Sequence, residues 1–453
     1  TMGSWAAPIP WPAVAINAAL LPNGRVLTYS RHDHVPVVWT PGALGTPGTF
    51  ADLALPADFF CSGFALMKDG RLIVAGGHSG VDNYGIKATY LLDYKTGVWT
   101  QGGDMRNGRW YPTTTALPNG QVLVISGGDT AAQLNVIPEV YAPTPNTWRA
   151  LTSASKAVPY YPMMFVAPNG KVLAVGPDQA TAYLNTASKG SWTPGPSRLF
   201  GNRDYGTAVM YDTGKILVVG GGTTPTTTAE AIDLLGSNTW TFVGSLKVPR
   251  RQVNATVLAD GKVLVTGGTN ASGFNTAPTS SDPLAAELWD PANPGVWTTL
   301  ASMTHHRLYH STALLLPDAR VLSVGSGQPA ASGLTNDFTA EIFSPPYLFK
   351  ADGTPAARPT MSNVPTAVTY GQTFTVKTAS AASIAKVTFI RLSAVTHSFN
   401  QNQRMNTLSF VAGSGVLNVT APANPNLAPP GHYMLFIVNS SGVPSSAKFI
   451  RIH

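Results

Sequence analysis

One cysteine in 453 residues, Cys61, excludes an internal disulfide. A free cysteine is most often a small buried hydrophobe, and that is the plain reading of Cys61 until its neighbours are considered. Charge is also scarce: 29 Lys and Arg and 22 Asp and Glu make up 11% of the chain. The net charge of +7 is spread without any basic run, which argues against nucleic acid and for a solvated surface, suited at most to contact with a cell wall or an anionic polysaccharide. No stretch approaches about 18 consecutive apolar residues, so no transmembrane helix is expected. No G-x-G-x-x-G opens a helix, so no nucleotide or flavin site is expected. The opening "TMGSWAAPIP" has neither a charged nor an apolar leader region, so a signal peptide was removed or was never present. What is abundant is glycine (44) and proline (37), with recurrent Thr, Ser and Asn, the composition of strands and turns. Poor in lysine and almost free of cysteine, it leans towards a bacterial-type exported protein, secreted or held at the cell surface or in the periplasm.

A repeat organises most of the chain. "NGRVLTYS", "DGRLIVAGGH", "NGQVLVISGGD", "NGKVLAVGPD", "TGKILVVGGG", "DGKVLVTGGT" and "DARVLSVGSG" each place a turn residue before an apolar run, at Gly24, Gly70, Gly120, Gly170, Gly214, Gly261 and Ala319. The glycines supply the positive φ of a hairpin flanked by apolar strands. Most copies continue to an outer strand marked by tryptophan, as in "VVWTPG", "GVWTQG", "NTWRA", "GSWTPG", "NTWTFV" and "GVWTTL". Period, hairpin and tryptophan resemble kelch repeats, and seven copies predict an all-β, seven-bladed propeller over residues 1–348. From 355 to 453 the repeat gives way to short alternating strands such as "TFTVKT", "KVTFIRL" and "YMLFIVN", predicting an immunoglobulin-like early-set sandwich without its disulfide.

The repeat is also a ruler. Nine residues before each turn position stand Ala15, Cys61, Tyr111, Tyr161, Tyr205, Gln252 and His310, which should therefore occupy equivalent places at the start of one strand in each blade. A shared strand register implies a shared orientation, towards one rim of the propeller. Thiol, phenols and imidazole are unusual there, and Tyr309 adds a further phenol beside His310. Imidazole and phenolate donors suit a Cu(II) centre.

The stretches "DFFCSGFALMKDGRLIVAGG", "RNGRWYPTTTALPNGQVLVISGG", "RLYHSTALLLPDARVLSVGSG", "EIFSPPYLF" and "VTHSFNQNQRMNTLSF" together resemble the copper-radical oxidases, the galactose oxidase and glyoxal oxidase family. The resemblance implies one copper ion held by Tyr111, Tyr309, His310 and His397. It implies a thioether joining Cys61 to Tyr111 as a protein-derived radical cofactor, with Tyr309 as general base. His397 would be carried to the propeller axis by a loop of the C-terminal domain. The implied reaction is the two-electron oxidation of a small aldehyde, as its hydrate, or of a primary alcohol, with O2 reduced to H2O2 by a monomeric enzyme whose partners are the small-molecule substrate and O2.

The sequence around the site narrows this. "SGGDTAAQ" holds Asp129 and Thr130 and lacks the tryptophan that stacks on the crosslink in galactose oxidases, so a less shielded radical is expected. "RWYPT" resembles the glyoxal oxidase branch and its bacterial members, which lack the N-terminal carbohydrate-binding domain. Tyr161, Arg203 and Tyr205 are expected to shape the substrate pocket, with His78 near the rim and His305 and His306 either behind the site or in a loop. His32 and His34 read as surface residues. Oxidation of a sugar alcohol, and a kelch binding module without metal, are the alternatives.

Overall fold

The computed structural model describes residues 1–31, 35–43, 46–273, 276–327 and 335–453, so His32 and His34 lie outside the described residues. Seven antiparallel sheets span residues 17–52, 63–101, 113–150, 163–194, 207–243, 254–302 and 312–344, here called blades one to seven. Six blades take all four strands from consecutive sequence. Blade seven takes its outer edge from the other end of the chain: Ser4–Trp5 pairs with Phe343 and Ser344, and Ile9–Pro10 with Thr339 and Ala340, which closes the ring.

Every blade but the fifth begins with a hairpin of the same construction; blade five turns instead through Thr213 and Gly214, between Asp212 and Lys215. In blade two, Gly70 N–H bonds to Met67 carbonyl (3.0 Å) and Met67 N–H to Arg71 carbonyl (2.8 Å), with Gly70 at φ 91°. Only the glycine of each Asn-Gly or Asp-Gly pair takes the left-handed conformation. The acidic or amide side chain before it instead accepts the N–H two residues on, as Asn23, Asp69, Asn119, Asn169, Asp260 and Asp318 all do. Blade seven keeps this geometry with Ala319 at φ 69°.

The repeated tryptophans latch neighbouring blades. The indole N–H of Trp148 reaches the carbonyl of Gly103 (3.0 Å), Trp192 that of Ala154 (2.9 Å), Trp240 that of Pro196 (2.9 Å) and Trp297 that of Gly244 (2.5 Å). In each case the acceptor follows the outer strand of the preceding blade. Trp5 continues the series to Ala301 (2.9 Å), so the N-terminal strand closes the ring with the same latch. Trp39 differs from the expected outer-strand position: it lies on the third strand of blade one, Val37–Thr40.

The C-terminal domain packs a five-stranded sheet against a three-stranded one around a separate apolar core that includes Phe374, Phe389, Leu417 and Tyr433. From it a hairpin, Ala394–Thr396 and Phe399–Asn400, adds to the innermost strand of blade one, pairing Asn17 with Thr396 and Ala19 with Ala394. It occupies the propeller axis, where the first strands of the blades present unpaired backbone. The polar run that follows satisfies them: Gln401 Oε1 accepts the N–H groups of Phe64 (3.3 Å) and Thr114 (3.0 Å), Asn402 that of Leu66 (3.3 Å) and Gln403 that of Val257 (3.0 Å). Arg404 donates to the carbonyl of Val166 (3.1 Å).

Candidate metal centre

The ring positions marked by the repeat are equivalent, but not through strand pleating. The inner strands start at Gly63, Thr113, Met163, Thr207, Asn254 and Thr312, two residues after each ring position. Cys61, Tyr111, Tyr161, Tyr205, Gln252 and His310 instead adopt left-handed backbone, with φ of 58°, 67°, 44°, 52°, 57° and 65°. Such conformations are costly for residues with a Cβ and cluster at functional sites. Neighbouring kinks are tied together: Tyr111 N–H bonds to Cys61 carbonyl (2.8 Å), Tyr161 N–H to Tyr111 carbonyl (2.9 Å) and Gln252 N–H to Tyr205 carbonyl (2.7 Å).

The kink brings consecutive side chains together, where an extended strand would send them to opposite faces. Tyr309 stacks on His310 (ring centroids 3.7 Å, 29°), and Trp110 stacks on Tyr111 (3.8 Å, 21°). The expectation of a less shielded radical is thus corrected: "SGGDTAAQ" has no tryptophan, but an indole is supplied by the residue immediately before Tyr111. Tyr161 lies on Tyr111 (4.8 Å, 35°) and stacks on His397 (4.6 Å, 27°).

His397 occupies the turn of the axial hairpin, where it and Ser398 both have positive φ (47° and 69°). Two-residue turns of this kind favour Asn-Gly, so a histidine here is held by the structure around it. Its Nε2 meets Nε2 of His310 at 2.8 Å and Sγ of Cys61 at 3.5 Å. The hydroxyls of Tyr111 and Tyr309 are in direct contact beside them. All five side chains are buried.

Hydrogen bonding fixes which nitrogens face inwards. His310 Nδ1 donates to the carbonyl of Gly327 (2.7 Å). His397 Nδ1 lies 2.6 Å from Thr396 Oγ1, whose own proton goes to the carbonyl of Ile16 (2.9 Å), so here too Nδ1 carries the hydrogen. Burial and the adjacent His310 hold His397 well below the usual imidazole range, so it is neutral. With both Nδ1 hydrogens committed elsewhere, the two Nε2 atoms face each other across 2.8 Å, an arrangement stabilised by a shared cation, a proton or a metal ion. That separation is the one expected of neighbouring ligands at right angles with bonds of about 2.0 Å. Burial pushes the phenols of Tyr111 and Tyr309 and the thiol of Cys61 well up, so each becomes an anionic donor only with a positive charge beside it. Two imidazoles and two phenols fit copper.

A cavity of about 190 Å³ opens onto this cluster. Tyr111 and His397 form its floor, and Tyr160, Tyr161, Tyr205, Phe399, Pro159 and Pro177 are among its walls. Arg203, expected in the pocket, does not line it. Its guanidinium is buried inside blade five on Glu230 (3.0 Å) and the carbonyls of Gly220 and Thr228. Arg109–Glu139 and Arg250–Glu287 repeat this pair at 2.8 Å, each arginine two residues before a ring position, so these arginines brace the kinks. His78 is held between Asp58 and Asp82, and Phe60 stands edge-on between it and His310. His305 pairs with Asp337, outside the cluster.

Residues 46–188 match the family described as glyoxal oxidase N-terminus, and 358–452 the galactose oxidase-like early-set domain. A galactose oxidase of Gibberella zeae is 31% identical over all of this chain and 71% of its own length. The chain belongs to the copper-radical oxidases. Within this family it is also 28% identical to an aldehyde oxidase of Vitis pseudoreticulata, over 88% of this chain and 83% of that protein. A solved fungal alcohol oxidase in complex with copper superposes with a TM-score of 0.88 at 31% identity, covering both chains entirely. These copper-radical oxidases are fungal and plant proteins and give no support to the bacterial affinity read from the sequence.

Proposed function

We propose that this chain is a mononuclear copper-radical oxidase that converts a primary alcohol to an aldehyde, or an aldehyde hydrate to an acid, while O2 becomes H2O2. The observation that carries the reading is the pair of imidazole Nε2 atoms facing each other at 2.8 Å beside two buried phenols. Nε2 of His310, Nε2 of His397 and the hydroxyl oxygens of Tyr111 and Tyr309 would hold the copper. When bound, copper supplies a one-electron couple and a positive charge that favours phenolate.

The chain's own groups divide the remaining work. Tyr309 would take the proton of the substrate hydroxyl, a role supported by its hydroxyl lying against that of Tyr111 and by Tyr205 edge-on at 5.8 Å. Tyr111 is the second one-electron store. Cys61 belongs to the same buried cluster as Tyr111 and Trp110, and its carbonyl accepts the Tyr111 N–H (2.8 Å), which supports coupling of its thiol to the Tyr111 ring. That coupling removes the thiol hydrogen and one ring hydrogen, with O2 as the two-electron acceptor. Trp110 covers one face of the ring and Tyr161 packs at 4.8 Å, which limits access of water to an oxidised phenol. Small-molecule substrate and O2 are the partners this requires. We also infer a setting outside the cytoplasm, supported by the composition alone.

The test is peroxide release from a panel of primary alcohols and aldehydes. Copper-loaded protein should produce peroxide in proportion to substrate consumed, and copper-free protein none. Equal rates with and without copper, or none with copper for any substrate, would refute the reading.

A further inference from the structure

The cavity above the cluster is strongly asymmetric in charge. Apart from His397, its lining among the described residues consists of aromatic, proline, methionine and glycine surfaces and one ionic side chain, Asp204. Asp204 sits immediately before the kinked Tyr205. Its Oδ2 accepts from the guanidinium of Arg251 at 3.0 Å. The two partners are exposed very differently: the Arg251 side chain is 4% accessible and Asp204 49%. Arg251 lies behind Tyr205, its guanidinium 5.1 Å from the ring centre, and does not line the cavity. A substrate therefore meets the carboxylate and not its counter-ion. A carboxylate offers about four acceptor positions, so Arg251 leaves capacity directed at a ligand.

We infer that Asp204 is a specificity-determining residue: it makes the pocket accept neutral or cationic primary alcohols with an apolar or aromatic body and reject substrates that carry a carboxylate. Away from the copper ligands at its floor, no cationic side chain lines the described pocket to pair with a carboxylate at the far end of a substrate, and a like charge beside Asp204 in a partly desolvated cleft is strongly disfavoured. The tyrosine, phenylalanine and proline walls suit a flat apolar body, and Asp204 would accept a hydrogen bond from a distal hydroxyl or ammonium. The inference rests on the oxidase reading for its chemistry, but the charge selection is a property of the cavity itself.

Three probes of similar shape separate the two: benzyl alcohol, its para-aminomethyl derivative and its para-carboxy derivative. With copper-loaded wild type, kcat/KM from peroxide release should fall at least about tenfold from the neutral to the anionic probe, and the cationic probe should match or exceed the neutral one. Asp204→Asn should narrow the neutral-to-anionic gap to below about threefold. In wild type the gap should shrink as ionic strength rises from about 0.01 to about 0.5 M, which reads the charge without any substitution. The same order should appear in competition binding to copper-free protein followed by saturation-transfer NMR. Equal handling of the three probes by wild type, a preference for the anion, or an unchanged gap in folded Asp204→Asn would overturn the inference. Peroxide from none of the probes, with the binding order intact, would refute the oxidase reading alone.

Discussion

Tyr111 holds a backbone conformation usually left to glycine, and much of the site's chemistry follows from it. At φ 67° its ring turns back beneath the indole of Trp110, and the same kink at His310 lays Tyr309 against the imidazole. Cys61, also left-handed, lies buried in the same cluster. The chain should therefore carry a covalent mark after exposure to copper and O2: an intact mass about two units below that of the sequence, resistant to thiol reductants. Cys61→Ser should restore the full mass, leave the melting temperature nearly unchanged and reduce peroxide formation. An alkylatable Cys61 in copper-loaded, air-exposed protein would contradict the crosslink. Cys61, Tyr111 and His310 could be singled out in the sequence because the hairpins gave a common origin from which to count, and Tyr309 as the neighbour of His310; His397, outside the repeat, came only from the family resemblance. Trp110 could not be singled out, since residues adjacent in a strand point apart, and only the kink reverses that. Arg203 was misplaced for the opposite reason. Arg109, Arg203 and Arg250 all stand two residues before ring positions, and a feature that recurs around the ring braces blades and is not specific to one substrate.

At the scale of the element, the hairpin turns and the axial insert carry the stability that holds these kinks. Ala319 adopts φ 69° where six blades use glycine. A Cβ in left-handed backbone costs roughly 1–2 kcal/mol, and glycine gives back part of this as chain entropy, so Ala319→Gly should stabilise the protein by about 0.5–1 kcal/mol in denaturant titration. A loss of stability would show that the buried methyl matters more than the turn. Gln401 acts in the opposite direction, since its carbonyl oxygen takes two backbone N–H groups from blades two and three. Gln401→Leu leaves both donors buried without an acceptor and should cost about 2–4 kcal/mol, read from the same titration; an unchanged midpoint would show that the amide is not needed there. The strands and turns were visible from their period. The role of "NQNQR" was not, because a polar run reads as a loop until the propeller axis supplies unpaired strand edges around it.

At the scale of the molecule, the centre exists only where two domains meet. The propeller contributes Tyr111, Tyr309 and His310 at its rim. The C-terminal sandwich contributes His397 on a hairpin that pairs with blade one, and Gln401 to Arg404 fasten that hairpin to blades two, three, four and six. Tryptophan latches and the N-terminal strand keep the ring closed around it. The most direct measurement of this assembly is a copper titration of metal-free protein, wild type beside His397→Ala, with folding monitored in parallel. Wild type should saturate at one copper per chain, and folded His397→Ala should lose that tight site; a His397→Ala protein that still binds one copper with wild-type affinity would contradict the claim that the second domain completes the centre.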